Sequence, residues 1–171
     1  MARRLGFEPP PDIHTLNVVE RLKGDASTDF GTPGVAPTYD DRPLDDKEHG
    51  RLEQILEACW AALDEAARSA QGKELRKGPR GGGRALDDIV QHVLDGEGGY
   101  LYRLAWKRDK AAERDPRLSR EAMLQALGAS VRGEVPQEGP RGGKKWTGRY
   151  FVRREAWHVL DHAWEIEDRL E

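Results

Sequence analysis

The segment from residue 149 to residue 169 most restricts how this chain can fold. At about 100° per residue its apolar side chains fall on one wide arc, which predicts an amphipathic helix that covers a hydrophobic core. His158 and His162 lie at the edge of this arc, one turn apart and within about 40° of each other, with Phe151 and Glu155 beside them. This spacing suits one metal ion, although such a pair also arises by coincidence on a half-buried helix. The apolar arc consists of Val152, Ala156, Trp157, Val159, Leu160, Ala163, Trp164 and Ile166.

A second amphipathic segment, residues 86–104, contains a third histidine. Its apolar residues recur at helical spacing, and His92 lies at the edge of the apolar stripe. Gly96 follows one turn later on the same side, and Gly98 and Gly99 come close behind it. Because a glycine inside a helix costs about 1 kcal/mol relative to alanine, these glycines need a reason. They leave room either for a ligand beside His92 or for close packing of a neighbouring helix.

The position of His92 and the run His158-Val-Leu-Asp-His162 resemble the DinB/YfiT-like family of four-helix-bundle proteins, over roughly residues 45–171. In that family one histidine on the second helix and a His-x-x-x-His pair on the last helix hold a divalent metal. The resemblance implies an all-α four-helix bundle in up-down-down-up order, with His92, His158 and His162 as metal ligands. It also implies thiol S-transfer or hydrolysis on a small molecule. We expect zinc or nickel as the ion, with iron or manganese as alternatives.

Three neutral imidazoles leave a metal ion with open coordination positions, which is typical of catalytic sites. Such an ion lowers the pKa of bound water to about 7, and a nearby carboxylate then acts as general base. Glu155 and Glu97 are our candidates for that base. Asp161 is predicted to orient a histidine or to face water.

Three other functions are compatible with the same residues. The first is a non-catalytic, metal-stabilised helical bundle or stress-related protein, and the second is a bundle without metal. The third is a zinc peptidase, because His-x-x-Asp-His differs by one residue from the inverted zinc-peptidase pattern.

The length and the net charge of the chain limit which class of protein it can belong to. A chain of 171 residues with a net charge of −3 fits one domain and has no overall field to attract nucleic acid. No apolar run approaches the ~20 residues that span a bilayer, and no secretory-type apolar region follows the N-terminus. We therefore expect a cytoplasmic protein with no nucleic-acid or membrane partner, and we leave a homodimer open. The single cysteine, Cys59, excludes an intrachain disulfide and is predicted to be a buried free thiol.

The chain divides into an N-terminal arm, residues 1–44, and a bundle, residues 45–171. Most of the prolines lie in the arm, so no long helix is expected there. Residues 14–22 alternate well enough to form a strand or an extended segment. Since the arm also carries apolar residues, we expect it to pack on the bundle; the alternative is a lid that brings a polar residue to the site. Helices are predicted at about 45–71, 85–108, 119–131 and 149–169.

Two glycine-rich loops, residues 78–84 and 139–145, share the sequence Gly-Pro-Arg-Gly-Gly. Each precedes a histidine-bearing helix. Backbone N–H groups and positive charge at such a place can bind an anion, so Arg80 and Arg141 are candidates to hold a substrate that is anionic or thiol-containing. The alternative is that both loops are only connectors.

Overall fold

The computed structural model describes residues 10–77 and 83–170, and all regular structure in these residues is helical. Four α-helices are joined by irregular segments and short 3-10 turns, and no strand occurs in the described ranges. The prediction of an all-α protein with four main helices is confirmed. The helices are α1, Asp46–Ala70; α2, Leu86–Arg103; α3, Pro116–Val131; and α4, Gly148–Arg169.

Side-chain caps fix where three of the helices begin, and at α4 Thr147 accepts a hydrogen bond from the backbone N–H of Tyr150 at 3.3 Å. Asp45 accepts a hydrogen bond from the backbone N–H of Glu48 at 2.7 Å, which satisfies a free donor in the first turn of α1. Asp115 does the same for Leu118 at 3.2 Å, and Pro116 occupies the first helical position, where its missing N–H has no cost. Helix α3 therefore begins at residue 116, three residues earlier than predicted.

Helix α2 ends five residues before the predicted end at 108. Ala105 adopts the left-handed conformation, with φ of 61°. The N–H of Trp106 bonds to the carbonyl of Leu101 at 2.9 Å, and the N–H of Ala105 bonds to that of Tyr102 at 3.0 Å. These two bonds form a Schellman-type end, in which glycine is the usual residue. The sequence gives no stop signal here because alanine takes the place of that glycine.

Ala105→Gly is expected to stabilise the protein by about 0.5 kcal/mol. Glycine removes the strain of the left-handed conformation, which costs alanine roughly 1–2 kcal/mol. Part of this gain is lost because glycine has more conformational entropy in the unfolded chain. Urea denaturation at constant m-value measures the change. Ala61→Gly at an exposed position inside α1 is the control, with an expected loss of about 1 kcal/mol. A loss of stability in both variants would contradict the assignment of strain to residue 105.

The four helices share one hydrophobic core, and α4 contacts each of the other three, most extensively α1. Cys59 is buried in this core, as predicted, and burial first, with the nearby charge of Glu155 second, raises the pKa of its thiol to about 12. None of the described helices is long and apolar enough to cross a membrane. The largest fully buried apolar side chains are Leu56, Ile89, Leu101, Leu104, Met123, Leu127, Phe151 and Ile166.

The two halves of the arm differ in how they meet the bundle. Residues 33–44 are fixed to α4, where buried Asp40 accepts two hydrogen bonds from Arg153 at 2.7 and 3.1 Å. Tyr150 donates to the carbonyl of Pro33 at 2.9 Å. These contacts stabilise the second half of the arm directly on the helix that carries two of the histidines.

The first half of the arm is more exposed than its composition suggests. The apolar side chains on which we based the expectation of packing lie mostly in solvent, and residues 14–22 form no strand. Leu5 and Phe7 lie outside the described residues. Among residues 10–44, no hydrogen bond or ring contact reaches the three histidines, so the described arm gives no support for a lid. The exposed apolar residues are Ile13, Leu16, Val18, Val19, Leu22 and Phe30.

Candidate metal centre

The three histidines predicted as ligands come together between α2 and α4. One nitrogen from each ring lies within 4.8 Å of the others. The Nε2 atoms of His92 and His158 are 3.4 Å apart. The rings meet edge to face, with centroids 4.8 to 5.2 Å apart. His158 and His162 are 6% and 7% exposed, whereas His92 is half-buried, so the cluster opens on the α2 side.

The shortest of these distances fits a small divalent ion. Two nitrogens at about 2.05 Å from one ion in a tetrahedral arrangement lie about 3.3 Å apart, close to the 3.4 Å between His92 and His158. No two ligands at that bond length can be more than about 4.1 Å apart. The widest separation, up to 4.8 Å, exceeds this limit, so binding a tetrahedral ion would draw that pair of nitrogens together by up to about 1.5 Å.

His162 is held in place by a carboxylate. Its Nδ1 lies 2.8 Å from Glu165 Oε2, and Arg169 donates to the other oxygen of Glu165, also at 2.8 Å. Arg169 in turn donates to the backbone carbonyls of Arg76 and Arg84, each at 2.9 Å. A carboxylate on one ring nitrogen fixes the tautomer and leaves Nε2 free to bind a metal. Sequence reasoning missed Glu165, although its spacing of three residues from His162 was a usable signal.

The surroundings of two of the rings, His92 and His158, favour their neutral form. Burial, then the neighbouring His162 and His92, lower the pKa of His158 to about 3. Burial and the charge of Arg84 also lower the pKa of His92. Neutral imidazole is the form that coordinates a metal, so these two rings are in the coordinating form at neutral pH.

Gly96 makes room for His158. A Cβ atom built at Gly96 would lie 2.8 Å from Nδ1 of His158, closer than real side chains pack. Of the two explanations for this glycine, close packing from the neighbouring helix is therefore the one observed, and the packed group is itself a candidate ligand. Gly98 similarly admits the guanidinium of Arg108, whereas a Cβ at Gly99 would meet no other group within 4 Å.

Gly96→Ala is expected to weaken metal binding by about 10- to 100-fold, the range seen when the contacts that support a ligand are disturbed. The new methyl group displaces the ring of His158, while the helix itself gains up to about 1 kcal/mol from alanine. Isothermal titration with Zn²⁺ measures the affinity. Gly99→Ala is the matched control, with the same helical gain and unchanged affinity. Equal affinity in both variants would show that the position of His158 does not matter for the metal.

The two predicted general bases lie together in the core. Glu155 is fully buried and Glu97 is 1% exposed. Trp60 Nε1 donates to Glu155 Oε1 at 3.1 Å, and the hydroxyl of Ser119 donates to Glu97. The second oxygen of Glu155, Oε2, is buried without a hydrogen-bond partner, and the charge of Glu97 raises the pKa of Glu155. Among the described residues neither is hydrogen-bonded to a histidine ring, so their catalytic role stays a prediction.

Burial is the main cause of the raised pKa values of these two carboxyl groups. It raises the pKa of Glu97 to about 7, although the hydroxyl of Ser119 and the charge of Arg120 act in the opposite direction. Burial also raises the pKa of Glu155 well above its ordinary value, and the charge of Glu97 raises it further. A carboxyl group with a pKa near neutrality can transfer protons in either direction.

Among the described residues, the other histidines and charged positions singled out in the sequence make no hydrogen bond or ring contact with the three histidines. Asp161 is exposed and faces water, one of its two predicted positions. His14 is exposed, and His49 lies 3.4 Å from Glu53 on α1. Arg80 lies outside the described residues, while Arg141 is exposed in a turn closed by a backbone bond between Gly139 and Gly143.

Comparison of the chain with protein-family models, curated proteins and solved structures finds no match in any of the three. Its function is therefore inferred from the site itself.

Proposed function

We propose that this protein binds one divalent metal ion through His92, His158 and His162 and is a metal-dependent enzyme acting on a small molecule. The observation that carries the proposal is the convergence of three imidazole nitrogens within 4.8 Å, two of them 3.4 Å apart. The resemblance to the DinB/YfiT-like family, with its up-down-down-up bundle, supports the same ligand set. Zinc or nickel is the proposed ion, with iron or manganese next, because imidazole nitrogen suits all of these except manganese well.

The proposed chemistry is thiol S-transfer or hydrolysis in the cytoplasm. A metal with three imidazole ligands supplies an open position where a water or a thiol loses its proton readily. The chain contributes an oriented ligand, since Glu165 fixes the ring of His162. Glu97 and Glu155 are the proposed proton-transfer groups, and their raised pKa values support exchange of a proton near neutral pH.

Equilibrium dialysis of protein prepared without a histidine tag tests the metal site. We expect one Zn²⁺ or Ni²⁺ per wild-type chain and no stoichiometric binding by His162→Ala. His14→Ala, at an exposed histidine remote in sequence, is the matched control and should bind as wild type does. Binding by His162→Ala equal to that of wild type would refute the three-histidine site.

A non-catalytic, metal-stabilised bundle is the second candidate, and the near-complete burial of His158 and His162 favours it. The two functions differ in whether a solvent molecule or substrate reaches the ion. Azide added to Co²⁺-substituted protein should change the visible spectrum if a coordination position is open. An unchanged spectrum at high azide concentration would support the structural function.

A further inference from the structure

Arg154 lies one turn before the two histidines of α4, so Arg154, His158 and His162 occupy successive turns of the same face. Four residues of α-helix rise about 6 Å. Burial and the neighbouring histidines lower the pKa of His158, and the positive charge of Arg154 lowers it further. The guanidinium therefore belongs to the immediate surroundings of the metal centre.

Three aromatic rings surround this guanidinium. Its central carbon lies 5.3 Å from the ring centroid of Trp157, 5.5 Å from that of Tyr100 and 5.9 Å from that of Trp146. Trp157 also stacks on His158, with centroids 6.3 Å apart, and Tyr100 meets the same ring edge to face at 5.6 Å. Tyr100 and Trp157 therefore contact both Arg154 and His158.

The hydrogen-bonding groups of Arg154 are poorly satisfied. Its Nε and Nη1 atoms are buried and have no hydrogen-bond partner, and Nη2 makes only a 3.5 Å contact with the hydroxyl of Tyr100. Within the described residues no carboxylate pairs with it, in contrast to three other partly buried arginines and the more exposed Arg153. Those four ion pairs are Arg120–Asp64, Arg149–Glu48, Arg153–Asp40 and Arg169–Glu165.

Nearby acidic groups are already engaged. Glu165 is shared by His162 and Arg169, and Asp95 accepts a hydrogen bond from Gln91. Arg84 adds a second positive charge, which lowers the pKa of His92. With a divalent ion bound, the space between the metal and Arg154 would be strongly positive, which favours an anionic ligand.

We propose that Arg154 binds the carboxylate of a small bifunctional ligand whose other end coordinates the metal. A guanidinium matches a carboxylate with two parallel N–H bonds, and the aromatic rings around Arg154 would contact the apolar part of a short ligand. This inference rests on the proposed function, since it assigns the substrate class of the same metal site. It also identifies a different anion-binding residue from Arg80 and Arg141.

A pair of thiol probes tests the carboxylate site separately from the metal. Co²⁺-loaded protein is titrated with 3-mercaptopropionate and with 2-mercaptoethanol, and binding is followed by the thiolate-to-cobalt charge-transfer band. Both probes coordinate through sulfur, but only the first has a carboxylate for Arg154. Wild type is expected to prefer 3-mercaptopropionate by about 10- to 100-fold, the effect of charge-assisted hydrogen bonds.

Arg154→Met is expected to abolish this preference while 2-mercaptoethanol binds as before. Arg154→Lys keeps the charge but loses the two parallel N–H donors of the guanidinium, so an intermediate preference is expected. The lysine variant replaces the methionine variant in the test if the latter does not fold. Arg117→Met removes an arginine whose side chain is 75% exposed on α3 and should retain the full preference. No preference in wild type, or the full preference in Arg154→Met, would overturn the inference.

Failure of the metal site gives a different result, namely no cobalt spectrum at all. The carboxylate site is then tested on the metal-free protein by tryptophan fluorescence, since Trp146 and Trp157 line it. Saturable quenching by propionate but not by propanol, lost in Arg154→Met, would support the inference. The absence of a propionate effect in wild type would overturn it.

Discussion

Removing the metal is expected to lower the melting temperature by roughly 5–11 °C. The three ligands come from α2 and α4, so the unfolded chain binds metal poorly and binding appears as folding stability. At a free metal concentration about 100 times the dissociation constant, this stabilisation is roughly 2.7 kcal/mol, and each kcal/mol moves the melting temperature by about 2–4 °C for a domain of this size. Differential scanning calorimetry of chelator-treated and Zn²⁺-loaded protein measures the difference.

The histidine variants show whether this stabilisation comes from the proposed site. His162→Ala should lose most of the metal-dependent increase in melting temperature, whereas His14→Ala should keep all of it. The same melting temperature for wild type with and without saturating metal would contradict the linkage between the site and the fold.

Glu155→Gln is expected to raise the melting temperature of the metal-free protein by several degrees at pH 8 and to change it little at pH 5. The wild-type side chain is fully buried beside Glu97, and its ionisation is disfavoured by burial and by the second carboxyl group. The amide keeps the acceptor for Trp60 and cannot ionise, while Glu97 keeps its hydrogen bond from Ser119. It therefore replaces a buried ionisable group without leaving either neighbour unpaired.

The pH dependence follows from the direction of the pKa shifts. Glu97 has a pKa of about 7 in the folded protein and an ordinary value of 4.5. Between these pH values the folded protein holds more protons than the unfolded chain, so the free energy of unfolding falls as the pH rises. The loss is on the order of 3 kcal/mol for Glu97 by pH 8, and the raised pKa of Glu155 extends it to higher pH.

The control for this prediction is Glu57→Gln, which removes an exposed carboxylate from α1. It should leave the melting temperature almost unchanged at both pH values, because surface substitutions rarely exceed about 0.5 kcal/mol. A Glu155→Gln protein that melts lower than wild type at pH 8 would show that the ionised pair is stabilised by contacts other than those described.

The histidine cluster could be predicted from sequence because each of the two helices carries its histidines at the edge of its own apolar stripe. Two histidines four residues apart and a third on another apolar stripe place their side chains toward a shared core. Partners within the same helix were also accessible in principle, as the spacing of His162 and Glu165 illustrates. Glu165 is oriented by Arg169 of the same helix, and Arg169 is itself held by the backbone carbonyls of Arg76 and Arg84, which no local pattern predicts.

Most of the features that could not be predicted from the sequence depend on contacts between helices. Glu97 and Glu155 are distant in sequence, and acidic residues are rarely buried, so no local pattern predicts their meeting in the core. The aromatic surroundings of Arg154 combine α2, α4 and the segment before α4. The end of α2 was missed for a different reason, because Ala105 adopts a conformation that usually requires glycine.

X-ray absorption spectroscopy of the zinc-loaded protein tests the central claim most directly, since it counts the imidazole ligands on the ion. We expect a wild-type spectrum that fits three imidazole nitrogens at about 2.0–2.1 Å and one further light atom, and two imidazoles in any zinc retained by His162→Ala. A wild-type ion with fewer than three imidazole ligands, or one whose spectrum does not change in His162→Ala, would contradict the three-histidine centre.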